Sequence, residues 1–115
     1  MNTVYIDVDE MLQRVRGNKK TAAMLLELFL DGEELDRLKD DLEKNDYVAA
    51  ETSSHGIKGM VGTLSMPKLF LSVEKLNNEL KIGAPNDDTV AEYFAVLEKT
   101  LATAQNALSA FKEQI

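Results

Sequence analysis

Val90, Phe94, Leu97, Leu101, Ala104, Leu108 and Phe111 follow one another in alternating steps of four and three without a break. That rhythm is the period of an α-helix, since a strand would repeat every two residues. A helix with so long an apolar stripe must bury it against other elements. The chain can therefore fold only as something that offers this helix a matching surface.

The other segments supply that surface with the same period. Asp7 is placed to cap a short first helix carrying Val8, Met11, Leu12 and Val15 on one face, with Gly17 as its stop. Asn18 is placed to cap a second helix running to about Lys44, in which Leu28, Leu35 and Leu42 recur every seven residues, Met24 and Leu38 fill the seam, and Gly32 is a place to bend. Asp46 begins a third helix, from Tyr47 to about Leu64. In Ser65-Met66-Pro67, Ser65 offers a capping hydroxyl and Pro67 suits the first turn of a fourth helix, whose stripe is Leu69, Val73, Leu76 and Leu80 and whose end is Gly83-Ala84-Pro85. Asn86, Asp87 or Asp88 caps the last helix. These readings predict an all-α fold: one domain over residues 1–115, an up-and-down antiparallel four-helix bundle with a short N-terminal helix across one end. Aromatic residues are only 6% of the chain and Trp is absent, which also favours aliphatic helix packing over a sheet.

Charge and cysteine usage narrow the function. A net charge of −7 and a pI near 4.7 disfavour a nucleic-acid partner, because phosphate-backbone binding needs clustered Lys and Arg. With no cysteine there is no disulfide, thiolate metal site or cysteine nucleophile. The N-terminal residues lack a basic segment followed by an apolar run, and no stretch reaches the ~20 apolar residues of a membrane span, so a cytoplasmic protein with no membrane partner is expected.

One stretch breaks the helical rules. His55-Gly56-Ile57-Lys58-Gly59-Met60-Val61-Gly62-Thr63-Leu64-Ser65 contains the single histidine and three of the six glycines. At about 100° per residue, His55, Lys58, Gly59 and Gly62 share one stripe, and Ile57, Met60, Val61 and Leu64 share the opposite one. The histidine thus faces water with bare backbone beside it. Glycine inside a helix costs about 1 kcal/mol relative to alanine. Neither Gly59 nor Gly62 lies on the apolar stripe where close packing would call for it.

Imidazole serves as general base, metal ligand, nucleophile or structural filler. A helical metal site places a second ligand at i+3 or i+4, and those positions are Lys58 and Gly59. Acid–base hydrolysis calls for a nucleophile or paired carboxylates converging with it, and no such set is marked. The nucleophile role fits better: an imidazole nitrogen can attack phosphorus, and a lysine one turn away can neutralise the phosphoryl oxygens. In-line transfer then requires a second protein to bring its own site almost onto the helix backbone, which Gly59 and Gly62 permit. Val48, Glu51, Thr52 and Met66 fall around His55 as a candidate partner-binding patch.

At these residues the chain resembles the histidine-containing phosphotransfer domains of multistep two-component signalling. The family pattern is approximately His-x-hydrophobic-Lys-Gly-small-small-x-polar-hydrophobic-Gly, matched here by His55, Ile57 and Lys58-Gly59, with departures at Met60 and Ser65. Leu26-Glu27-Leu28-Phe29, Asn45-Asp46, Leu69 and Glu74 extend the resemblance over roughly residues 7 to 112. Met60 implies altered packing beneath the site, and Ser65 a different exit from the helix.

The resemblance implies a phosphocarrier without kinase activity of its own. His55 would accept a phosphoryl group from an aspartyl phosphate of a response-regulator receiver domain and pass it to another, with a hybrid sensor kinase as a further candidate partner. Lys58 would neutralise phosphate charge, and magnesium would belong to the receiver, leaving this chain with no cofactor or metal of its own. In some members a glutamine on the following helix bonds the imidazole Nδ1, leaving Nε2 to be phosphorylated; Asn77 holds the matching position with a shorter amide. A monomer is expected, and short flanks favour a free-standing module. The rival readings are the histidine-bearing substrate domain of a chemotaxis-type kinase and a non-catalytic helical interaction module.

Overall fold

A computed structural model describes residues 4–115, and among them every regular element is helical: α1 (Val8–Arg14), α2 (Lys19–Asp31), α3 (Glu33–Glu43), α4 (Tyr47–Thr63), α5 (Pro67–Ile82) and α6 (Asp87–Gln114). The helices form a bundle in which α4 packs on α3 and α5, while α6 packs on α5 and α2. Leu26, Phe29, Leu38, Ile57, Leu69, Leu76 and Tyr93 fill the interior. No helix among the described residues is long and apolar enough to cross a membrane.

Three helix starts follow from short polar side chains, as the sequence suggests. Asp7 accepts from the Glu10 amide at 3.0 Å, Asn18 from the Thr21 amide at 3.0 Å and Asp46 from the Ala49 amide at 3.1 Å. Two others start differently. Ser65 is not the cap of α5: it adopts left-handed backbone (φ 57), its hydroxyl turns to Glu10, and Met66 occupies the cap position before Pro67. At α6 the cap comes from outside the helix. Glu79 on α5 accepts from the Asn86 amide at 2.8 Å and the Thr89 hydroxyl at 2.7 Å, so none of Asn86, Asp87 and Asp88 caps α6 through its own side chain.

The expected second helix is two. Gly32 takes a left-handed conformation (φ 72), ends α2 and opens α3. This resets the rotational phase of the chain, so the seven-residue seam does not carry through it. Helix α2 instead buries Ala22, Ala23, Leu26 and Phe29, leaving Met24 55% and Leu28 61% exposed. Helix α3 buries Leu35 and Leu38, with Leu42 partly covered, against α4.

The last helix keeps its period but turns slightly about its axis. Leu97, Ala104, Leu108 and Phe111 are buried, whereas Val90, Phe94 and Leu101 are partly covered and Thr89, Tyr93 and Thr100 take inner places. Wedged between α5 and α2, α6 buries a wider arc than one stripe. Its threonines tolerate burial because their hydroxyls are paired, Thr89 with Glu79 and Thr100 with the Val96 carbonyl at 2.7 Å. On α5 the stripe Leu69, Val73, Leu76 and Leu80 is buried as its spacing suggests.

Helix α1 rests beside α2, with Met11 inserted into the core. It is also fastened to the corner between α4 and α5: the Asp7 amide donates to the Ser65 carbonyl at 2.8 Å, and the Ser65 hydroxyl donates to Glu10 at 3.0 Å. That attachment brings the C-terminal end of α1 toward the histidine helix.

Candidate functional site

Helix α4 separates its residues as the periodicity demands. Ala50, Ser53, Ser54, Ile57 and Val61 point inward, while Thr52, His55, Gly56, Gly59 and Thr63 are exposed. His55 stands on the outer face of a well-anchored helix. A methyl group at Gly59 would meet no other described side chain or helix within 4 Å, so the backbone there is open to whatever approaches. At Gly62 it would sit 3.5 Å from the Phe70 ring, an ordinary contact that brings α5 close on that side.

Arg14, His55, Lys58, Gly59, Gly62, Thr63 and Phe70 line a shallow cleft of about 310 Å³. The stripe read from the sequence is therefore one wall of a cleft, and Phe70 and Arg14 come from other helices. Arg14, Gly62 and Phe70 are shared with a neighbouring hollow of about 500 Å³ between α1 and the α4–α5 corner, where Pro67 and Leu71 contribute apolar surface. Among the described residues no cluster of three or more His, Cys, Asp or Glu side chains is grouped to hold a metal ion.

Both cations in the cleft have carboxylate partners. The Lys58 ammonium is 3.6 Å from Glu74 and 6.0 Å from the centre of the Phe70 ring, with the side chain about 28% exposed. Arg14 donates from Nε and Nη2 to one oxygen of Glu10, at 3.3 and 3.0 Å. The Arg14 guanidinium first, and then the Ser65 hydroxyl, hold the Glu10 carboxyl below its ordinary pKa.

The remaining predicted residues divide. Val48 is 82% exposed, Thr52 is exposed and Glu51 is half-buried, all on α4 near His55 in sequence and helical phase. Met66 is not part of the surface patch. It is 1% exposed, because the left-handed turn at Ser65 reverses the chain and drives the next side chain into the core. Met60 is half-buried against the core, on the side away from the cleft lining.

Asn77 does not reach the imidazole. It is fully buried, and its amide donates to the Glu51 carbonyl at 3.0 Å and the Ser54 hydroxyl at 2.9 Å, while Oδ1 has no partner among the described residues. Position 77 lies on the inner face of α5, opposite the inner face of α4, whereas His55 lies outward. The short amide thus meets the backbone and the serine that face it.

Arg14 and Phe70 were not legible as site residues. Phe70 lies off the apolar stripe of its helix, and its ring covers the space that Gly62 leaves. Arg14 closes a short helix whose spacing identifies only an apolar face, and nothing in its neighbourhood in the chain indicates that this helix ends at the histidine. Comparison with protein families, with curated proteins and with solved structures gives no match.

Proposed function

We propose that this protein is a histidine phosphocarrier, with His55 as the nucleophile that receives and returns a phosphoryl group. The observation that carries the reading is the exposed imidazole in a cleft with Lys58, beside a glycine whose backbone is open to a partner. The neighbour pattern of the helices also suits the proposed architecture. In that proposed architecture the α2–α3 pair would be one bent arm of an up-and-down four-helix bundle, with α4, α5 and α6 as the other three and α1 across one end; the packing of α4 on α3 and α5, and of α6 on α5 and α2, supports it.

In the proposed step, a ring nitrogen of His55 attacks the phosphorus of an aspartyl phosphate on a receiver domain. A nitrogen–phosphorus bond forms as the acyl oxygen–phosphorus bond breaks, and that electron pair returns to the aspartate as carboxylate. The other ring nitrogen keeps its proton, leaving a cationic ring beside a dianionic phosphoryl group. Lys58 supplies charge to the phosphoryl oxygens, leaving the carboxylate of Glu74 to do so. Magnesium belongs to the receiver. Val48, Glu51 and Thr52 border the landing surface, and Gly59 lets the receiver's reacting atoms come close enough for in-line transfer.

Incubation with a phosphorylated receiver tests this. Label should appear on the chain as an acid-labile, base-stable phosphate and disappear in His55→Gln. A panel of receivers from the same cell, none of which labels the wild-type chain, would overturn the proposal.

A further inference from the structure

We infer that Arg14 is a second cation for the phosphoryl group on His55, delivered from α1, and that Ser65 acts as the positioning residue that holds it there. This inference rests on the phosphocarrier reading above.

In a chain of net charge −7, two cationic side chains line the small cleft that contains its single histidine. They come from different helices and each is balanced by one carboxylate, Arg14 by Glu10 and Lys58 by Glu74. The resting cleft is therefore near neutrality without its ligand. A dianionic group on the imidazole changes that balance. The Arg14–Glu10 pair is about half exposed, so water screens it and little holds the guanidinium to its carboxylate. A phosphoryl group offers the same planar fork two acceptor oxygens and a larger charge. Arg14 already borders the cleft beside His55, which places its guanidinium on the side from which it would exchange Glu10 for a phosphoryl oxygen.

Ser65 gives this arrangement its anchor. Ser65 takes the left-handed conformation that ends α4, as Arg16 and Asn45 do after α1 and α3, and at this corner its hydroxyl reaches Glu10 of α1. The Ser65 hydroxyl donates to Glu10 Oε1, the same oxygen that receives both Arg14 donors. The chain of contacts runs from the α4–α5 corner through Glu10 to Arg14 and so to the cleft. Glu10 stays tied to Ser65 when Arg14 turns to the phosphoryl group, which keeps α1 in place during the exchange.

Phosphoramidate is a suitable probe because it needs no receiver: its nitrogen–phosphorus bond breaks as the bond to the His55 ring forms, and ammonia leaves with a proton from solvent. Wild type, Arg14→Ala, Arg14→Lys and Ser65→Ala are labelled and the phosphoryl titration followed by ³¹P NMR, with far-UV circular dichroism to verify folding. Loss of a nearby cation should raise the phosphoryl pKa in Arg14→Ala, with Arg14→Lys intermediate and Ser65→Ala moving the same way to a smaller extent. Transfer to a receiver should slow about tenfold in Arg14→Ala. A labelled wild type with unchanged titration and transfer rate in folded Arg14→Ala overturns the role of Arg14. A wild type that takes no label overturns the phosphocarrier reading, and this inference with it.

Discussion

Asn77 donates to the Ser54 hydroxyl at 2.9 Å, so the residue just before His55 is fastened to the core of α5 while the imidazole itself stays outside. The amide also takes the Glu51 carbonyl, and these two bonds lock one turn of α4 against α5. Asn77→Ala removes both and leaves a void in a fully buried place. It should lower stability by roughly 2–3 kcal/mol in urea unfolding. Phosphorylation of His55 by phosphoramidate should change by less than about twofold under folding conditions, because no bond to the ring is lost.

Gly59 separates helix propensity from clearance. A Cβ added there would meet no other described side chain or helix within 4 Å, so Gly59→Ala should stabilise the protein by about 0.5–1 kcal/mol through the better helix former. Gly59→Gln should also fold, but should slow phosphotransfer from a receiver on the order of a hundredfold by displacing the reacting groups. Normal transfer in Gly59→Gln would refute the clearance argument.

Ser65 combines left-handed backbone with a hydroxyl bonded to Glu10. Ser65→Ala keeps the strain and loses the bond, and should cost about 1 kcal/mol. Ser65→Gly loses the bond and relieves the strain, so its unfolding midpoint should lie close to wild type. The order of the two variants in one denaturation series is the test.

Glu79 makes the start of α6 sensitive to acid. The Asn86 amide first, and then the Thr89 hydroxyl, hold its carboxyl below the usual 4.5. With the folded pKa below the unfolded one, the folded protein binds fewer protons than the unfolded chain. The contribution is fully present above pH 4.5 and fades as pH falls through the folded-state value. Glu79→Gln should be less stable than wild type near neutrality, and the gap should narrow in acid. Urea midpoints across that range measure it.

Leu26 and Leu28 report the phase of α2. Leu26 is fully buried and Leu28 is 61% exposed. Leu26→Ala should cost roughly 2–5 kcal/mol and Leu28→Ala within about 0.5 kcal/mol, whereas a seam through Leu28 would reverse the order.

Much of the molecule is legible from local signals because those signals act locally. Asp7, Asn18 and Asp46 cap their helices through amides three residues away, and Leu69, Val73, Leu76 and Leu80 lie on one side of a helix whatever it packs against. The outward placement of His55, Thr52 and Gly59 is legible for the same reason: a helix with Ile57 and Val61 inward must turn those residues outward. The seam through Met24 and Leu28 misled because a regular repeat assumes an unbroken helix, and Gly32 resets the phase. The surface role of Met66 failed likewise at the turn of Ser65.

By itself, then, the sequence determined the helices, most of their inward faces and an exposed histidine beside open backbone, since these depend on period and on groups a few residues apart. Tertiary structure alone decided that Glu79 caps α6, that Asn77 belongs to Ser54 and Glu51, and that Arg14 and Phe70 complete the His55 cleft. Each of those pairings joins different helices, and which side chains meet across a helix interface depends on how the helices cross and on where the chain turns between them.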